Sequence, residues 1–140
     1  MLKGINPLLS PDLLKILSEM GHGDELVIGD CNFPAAKLAR RLVRADGIDS
    51  VSMLDAVLSV FPLDQYDNQN FVLMDTTHGD SAPAVWEEYA RVLKKYEPEA
   101  EIHHIERFNY YARSEKAYAI VATGETAPYG CIILKKGCVR

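Results

Sequence analysis

The chain has 140 residues, with 20 acidic side chains against 15 basic ones for a net charge of −5, and 48% of its residues are hydrophobic. That suits one soluble domain over residues 1–140 with a single core, and is too apolar for a disordered chain. The acidic balance argues against nucleic acid as a partner, and no apolar run approaches the ~20 residues that cross a bilayer. Cys31, Cys131 and Cys138 form an odd set without CxxC spacing, and no basic-then-apolar leader opens the chain, so a cytoplasmic protein with reduced thiols is expected.

Residues 8–20 predict a helix: Ser10 is a plausible N-cap, Pro11 takes the first helical position, and Leu13, Leu14, Leu17 and Met20 recur at helical spacing. Gly21 stops it. Residues 25–29 read as a buried strand, which places Asp30 at its C-terminal end. Residues 37–45 fit either a helix or a short strand. A helix follows at 51–61, with Leu54, Val57, Leu58 and Phe61 on one stripe. Residues 71–75 form a strand, and 83–96 an amphipathic helix whose inward face is Val85, Tyr89, Val92, Leu93 and Tyr96. The pattern closes with a strand at 102–105, a helix at 109–116, and strands at 117–124 and 132–136.

Such alternation implies an α/β fold, a three-layer α/β/α sandwich around a mostly parallel, mixed sheet, with its ligand site in loops beyond the strand ends. The last two strands are expected to make an antiparallel edge.

The densest polar cluster is Gly21-His22-Gly23-Asp24. Two glycines give a ligand close approach, and histidine suits proton transfer near neutrality; alternatively, His22 complements the helix C-terminus. Asp30 at a strand end can bind hydroxyls, orient a histidine or cap its own loop. Arg107 offers several coplanar donors and Tyr111 a phenol or stacking face, against the alternative of surface ion pairs and core aromatics. The loop ending in Tyr129-Gly130-Cys131 fits either a pocket wall or a packed hairpin turn.

No dinucleotide fingerprint, phosphate loop or nucleophile elbow is present, so no cofactor is expected. His22, His78, His103 and His104 lack metal-ligand spacing, and neighbours His103 and His104 on one strand point to opposite faces, so no metal is expected either.

Taken together, the motifs resemble the L-fucose mutarotase and D-ribose pyranase family. The resemblance runs from Pro7-Leu-Leu-Ser-Pro-Asp-Leu-Leu14 through Glu19-Met-Gly-His-Gly-Asp-Glu25, Asp30, Asn32-Phe-Pro-Ala35 and Arg44-Ala-Asp-Gly47. It continues in Arg107-Phe108, Tyr111, Thr123-Gly-Glu125, Tyr129-Gly130 and Leu134-Lys-Lys-Gly137, nearly the whole chain. Arg107-Phe108 and Tyr111 look like the fucose branch rather than the ribose one.

The resemblance implies cofactor-free interconversion of the α and β anomers of L-fucose or a similar free monosaccharide. His22 would be the acid/base group, with Asp30, Arg107, Tyr129, Gly130, Cys131 and Tyr111 at the sugar. It also implies a homo-oligomer, a decamer or smaller, whose neighbouring subunits share active sites. Where the family pattern has Asn, this chain has Cys131. Competing readings are a non-catalytic sugar-binding or regulatory module and a pyranase acting on ribose-like sugars.

Overall fold

A computed structural model describes residues 1–140. In chain order the elements are α1 (Pro11–Glu19), β1 (Glu25–Gly29), α2 (Ala35–Leu38), β2 (Leu42–Ala45), α3 (Ser50–Leu58), β3 (Phe71–Met74), α4 (Val85–Tyr96), β4 (His103–Ile105), α5 (Arg107–Lys116), β5 (Ala119–Thr123) and β6 (Ile132–Lys135). No helix is long and apolar enough to cross a membrane.

Local chemistry sets the helix starts. Ser10 accepts from the Leu13 amide at 3.2 Å with Pro11 in the first turn, and Asp49 caps α3 through the Ser52 amide at 2.8 Å. The Glu106 carboxylate takes the amides of Phe108 and Asn109, so α5 begins two residues earlier than the sequence pattern indicates and Arg107 occupies its first turn. The ambiguous stretch at 37–45 resolves into both options, the short helix α2 and then the strand β2.

The six strands form one sheet in the order β2-β5-β1-β6-β3-β4. β5 runs parallel to both β1 and β2, and β3 parallel to β4. β6 alone is antiparallel, and it lies between β1 and β3 rather than at an edge, which corrects the edge expected for the last two strands. The physical reason is burial: Ile132, Ile133 and Leu134 are all fully buried, so both faces of β6 need cover.

Helices cover both faces, giving the expected three layers. On one face α1, α3 and α4 pack Leu13, Leu54, Val57, Tyr89 and Leu93 against Leu26, Ile28, Phe71, Leu73, Ile132 and Leu134. On the other, Ala35 and Tyr110 from α2 and α5 meet Val27, Val72, Ile120, Cys131 and Ile133. Each large apolar side chain so buried contributes about 1.5–3 kcal/mol.

Because β6 is antiparallel, the loop before it, carrying Tyr129 to Cys131, lies at the same end of the sheet as the C-termini of β1, β3 and β4. The loop after it meets the residues entering β1: Gly23 donates to the Lys136 carbonyl at 2.8 Å and Lys136 to that of Asp24 at 2.8 Å.

Candidate active site

Beyond the C-terminal ends of β1 and β3 lies a cavity of about 250 Å³ whose lining includes Asp30, Phe33, Met74, Arg107, Tyr111, Tyr129 and Cys131, together with Thr77 and Asp80. This is where a parallel sheet places ligand sites, and the volume suits a small molecule rather than a drug-sized one. Five of the seven residues expected from the sequence therefore converge, and Gly130 joins two of them.

Asp30 is buried and accepts the Asn32 amide at 3.0 Å. Burial raises its carboxyl above the ordinary range, and the amides of Asn32, Gly130 and Phe33 offset this only in part. Arg107 lies with its guanidinium 5.6 Å from the Phe108 ring centre and 5.7 Å from that of Tyr111, and makes no hydrogen bond or ion pair within the chain. Its planar donors are thus available to a ligand with several oxygens. Phe33 flanks Tyr111 at 5.9 Å between centroids and Tyr110 edge-on at 6.0 Å, giving the pocket an apolar aromatic wall.

Tyr129 adopts the left-handed region at φ 56°. Its hydroxyl donates to Asp80 at 2.5 Å and accepts from the Thr77 amide at 3.2 Å and the Thr77 hydroxyl at 3.1 Å, so the phenol is fixed. Trp86 Nε1 donates to the Tyr129 carbonyl at 2.9 Å. At Gly130 an added Cβ would come within 2.8 Å of the Ala127 carbonyl, so the close turn admits only glycine. Cys131 is 1% exposed and lies beside Tyr110, whose buried hydroxyl has no hydrogen-bond partner. Burial pushes the Cys131 thiol up to about 12.

Thr77 and Asp80, which hold Tyr129, and Phe33 and Met74 in the wall were not singled out by residue-level sequence reasoning. Their signal was positional, since each follows or ends a strand on the ligand-binding side of the sheet.

His22 is elsewhere. It precedes β1 whereas Asp30 follows it, and the five residues of β1 at about 3.3 Å each put roughly 16 Å of strand between the two loops. His22 Nε2 instead bonds to the Asp64 carboxylate at 2.9 Å, with the Tyr66 ring 5.4 Å away. Nor does His22 serve the end of α1. Lys136 Nζ does so, donating to the carbonyls of Leu17 at 2.7 Å and Met20 at 2.6 Å, so the helix-terminus reading of His22 falls away.

Residues 3–139 match the model of the RbsD / FucU transport protein family. The chain is 50% identical over 139 residues to the L-fucose mutarotase of Glaesserella parasuis serovar 5, covering 98% of this chain and 95% of that one. It is 43% identical to the fucose mutarotase of Danio rerio, covering 99% and 94%. Among solved structures, the fucose mutarotase from Streptococcus pneumoniae in complex with L-fucose superposes with a TM-score of 0.95 at 45% identity, over 99% of this chain and 100% of that one. Bacillus subtilis RbsD complexed with D-ribose shares the fold, with a TM-score of 0.72 at 22% identity over the full length of both chains. The chain belongs to the RbsD / FucU transport protein family.

Proposed function

We propose that this protein is an L-fucose mutarotase, an isomerase that interconverts the α and β anomers of the free sugar. The observation that carries the reading is full-length identity of 43–50% to proteins of that name, joined to a pocket built for a small polyol. Arg107 donates to hydroxyls through its unpaired guanidinium, Asp30 accepts from them, and Tyr129 lines the pocket beside them. The Gly130 turn and the adjoining Cys131 close the wall. Phe33, Met74 and Tyr111 provide apolar surface suited to a sugar that carries a methyl group.

Mutarotation needs a proton removed from the anomeric hydroxyl and another delivered to the ring oxygen as the C1–O5 bond breaks. The open-chain aldehyde rotates about C1–C2, O5 attacks the other face of C1, and the two transfers reverse. No atom is gained or lost. A histidine can act in both directions near neutrality, and one positioned acid/base group supplies about 10²–10⁴ in rate.

In this reading His22 is that group, and it reaches the sugar from a second copy: His22 of the partner subunit enters the pocket of its neighbour in a homo-oligomer. Two exposed aromatics support the arrangement. Tyr66 beside His22 is 75% exposed and Phe108 beside Arg107 is 70% exposed, and such an assembly covers both. Three unpaired cysteines suit a reducing cytoplasm.

Saturation-transfer NMR on equilibrated L-fucose tests the activity. Accelerated exchange between the anomer signals at catalytic protein concentration is the expected result, and unchanged exchange would overturn the reading.

A further inference from the structure

Tyr110 carries a group that the fold itself does not use. Its side chain is fully buried, and its phenolic hydroxyl has no hydrogen-bond partner in the chain. Buried polar groups are nearly always paired, and one left alone weakens a fold relative to an apolar group of the same shape. Phenylalanine fills the same space without that cost. The hydroxyl is therefore matched to a partner that arrives from outside the chain.

Its surroundings point to the pocket. α5 places Arg107, Tyr110 and Tyr111 at i, i+3 and i+4, on one face of the helix, and Arg107 and Tyr111 both line the cavity. Phe33, which also lines it, meets the Tyr110 ring edge-on at 6.0 Å between centroids. Cys131 belongs to both environments: it lines the cavity and packs in the same buried cluster as Tyr110. The thiol does not meet the phenol in hydrogen-bonding geometry, and sulfur is a weak partner in any case.

Burial first, and then the nearby Cys131 and Asp30, hold the Tyr110 phenol well above its ordinary range. At neutral pH it is an intact O–H, able to donate.

Position 131 is also where the resemblance has asparagine, whose carboxamide both donates and accepts. Cysteine is smaller and does neither well. We infer that the Tyr110 hydroxyl stands in for that carboxamide: it is a sugar-binding group of this chain, donating past the small Cys131 side chain to the sugar hydroxyl that Asp30 accepts from. Cys131 has a single side-chain torsion, and turning it moves the sulfur aside. Asp30 and Tyr110 then hold one sugar oxygen from two sides, the carboxylate taking its hydrogen and the phenol donating to its lone pair. The inference rests on the proposed binding of L-fucose in this pocket.

Two variants test it, Tyr110→Phe and the double variant Tyr110→Phe/Cys131→Asn. Each is compared with the parent by thermal melting without sugar, by isothermal titration calorimetry with L-fucose, and by saturation-transfer exchange. For Tyr110→Phe the expected result is a Tm equal to or above the parent's, with a Kd for L-fucose roughly tenfold weaker, the loss of one hydrogen bond to the ligand. In the double variant the carboxamide takes the space the phenolic oxygen leaves, and Kd returns to within about threefold of the parent's. A Tyr110→Phe protein that binds as tightly as the parent overturns the inference, and so does one whose Tm falls, since the phenol then belongs to the fold. A folded double variant that binds no tighter than Tyr110→Phe overturns the exchange of phenol for carboxamide. Calorimetry keeps the inference separate from the reading beneath it. If the parent binds L-fucose but leaves anomer exchange unchanged, the mutarotase reading fails while the comparison of Kd values still decides the role of Tyr110. A parent that does not bind L-fucose overturns both.

Discussion

The phenolic hydroxyl of Tyr89 donates to the backbone carbonyl of Gly130 at 2.7 Å, so a fully buried side chain of α4 holds the turn that closes the pocket. One helical turn earlier, Trp86 holds the Tyr129 carbonyl. Ser50 extends the support: its hydroxyl contacts that of Tyr89 and donates to Glu125 at 2.9 Å. The strained backbone of Tyr129 and the tight turn at Gly130 are thus held by α3 and α4, which cover the face of the sheet opposite α2 and α5.

Tyr89→Phe tests this clamp. It leaves the ring in place but strands a buried carbonyl, at a cost of about 1–3 kcal/mol, which for a chain of this length lowers Tm by roughly 3–10 °C. KM for L-fucose rises more than kcat falls, because the pocket wall loosens while no proton-transfer group is lost. Thermal melting and saturation-transfer kinetics measure the two effects, and an unchanged KM would contradict the clamp.

The alternation of strands and helices was legible because it is carried by local signals: the Ser10-Pro11 start, the apolar stripe on α4, and the runs at 25–29 and 71–75. The central place of β6 was not, since strand order depends on pairings such as Val27 with Ile133 that span the whole chain. The pocket residues Asp30, Arg107 and Tyr129 could be named from motifs. That His22 stands apart from them follows from its preceding a five-residue strand that Asp30 ends, a consequence the motif list alone conceals. Asp64 left no signal, because it lies 42 residues from its partner in a loop without a recognisable pattern.

Asp30 carries a pH dependence whose sign is set by burial. Its carboxyl is raised above the unfolded value, so its contribution to stability is fully present below the ordinary carboxyl range and lost as pH rises through the folded value. At neutral pH the ionised form is a cost to the fold. Asp30→Asn keeps an acceptor for the Asn32 amide and removes that cost, so it melts higher than the parent at pH 7, with the gain fading toward acid pH. Sugar binding pays in the opposite direction: losing a charged acceptor raises KM roughly tenfold or more. Melting curves across pH, alongside kinetics, check both signs.

Cys131 explains how the site tolerates a thiol where the resemblance has a carboxamide. Its side chain packs with Tyr110 in the core, so it serves the pocket through packing rather than as a hydrogen-bonding arm. With its thiol near 12, essentially no thiolate exists at pH 8. Cys131 is therefore expected to stay unreactive to a disulfide reagent in the native protein and to react only on unfolding, whereas Cys31 and Cys138 are exposed. Mass spectrometry of the labelled peptides identifies which thiol is silent, and native labelling at Cys131 would refute its buried placement.

The separation of His22 from Arg107 makes the shared-site arrangement testable by complementation. If each working site joins His22 of one copy to Arg107 of the next, His22→Ala and Arg107→Ala are each nearly inactive alone, the first through kcat and the second chiefly through KM. Co-folding the two variants creates mixed assemblies in which some interfaces bring an intact His22 to an intact Arg107, so activity returns in part. Sites contained within one chain forbid this, because every chain in the mixture then lacks one of the two groups. Saturation-transfer exchange before and after co-folding, with size measured by light scattering, decides between them. Recovery in a species larger than one chain is the expected outcome, and a mixture no faster than its components would place the site within a single subunit.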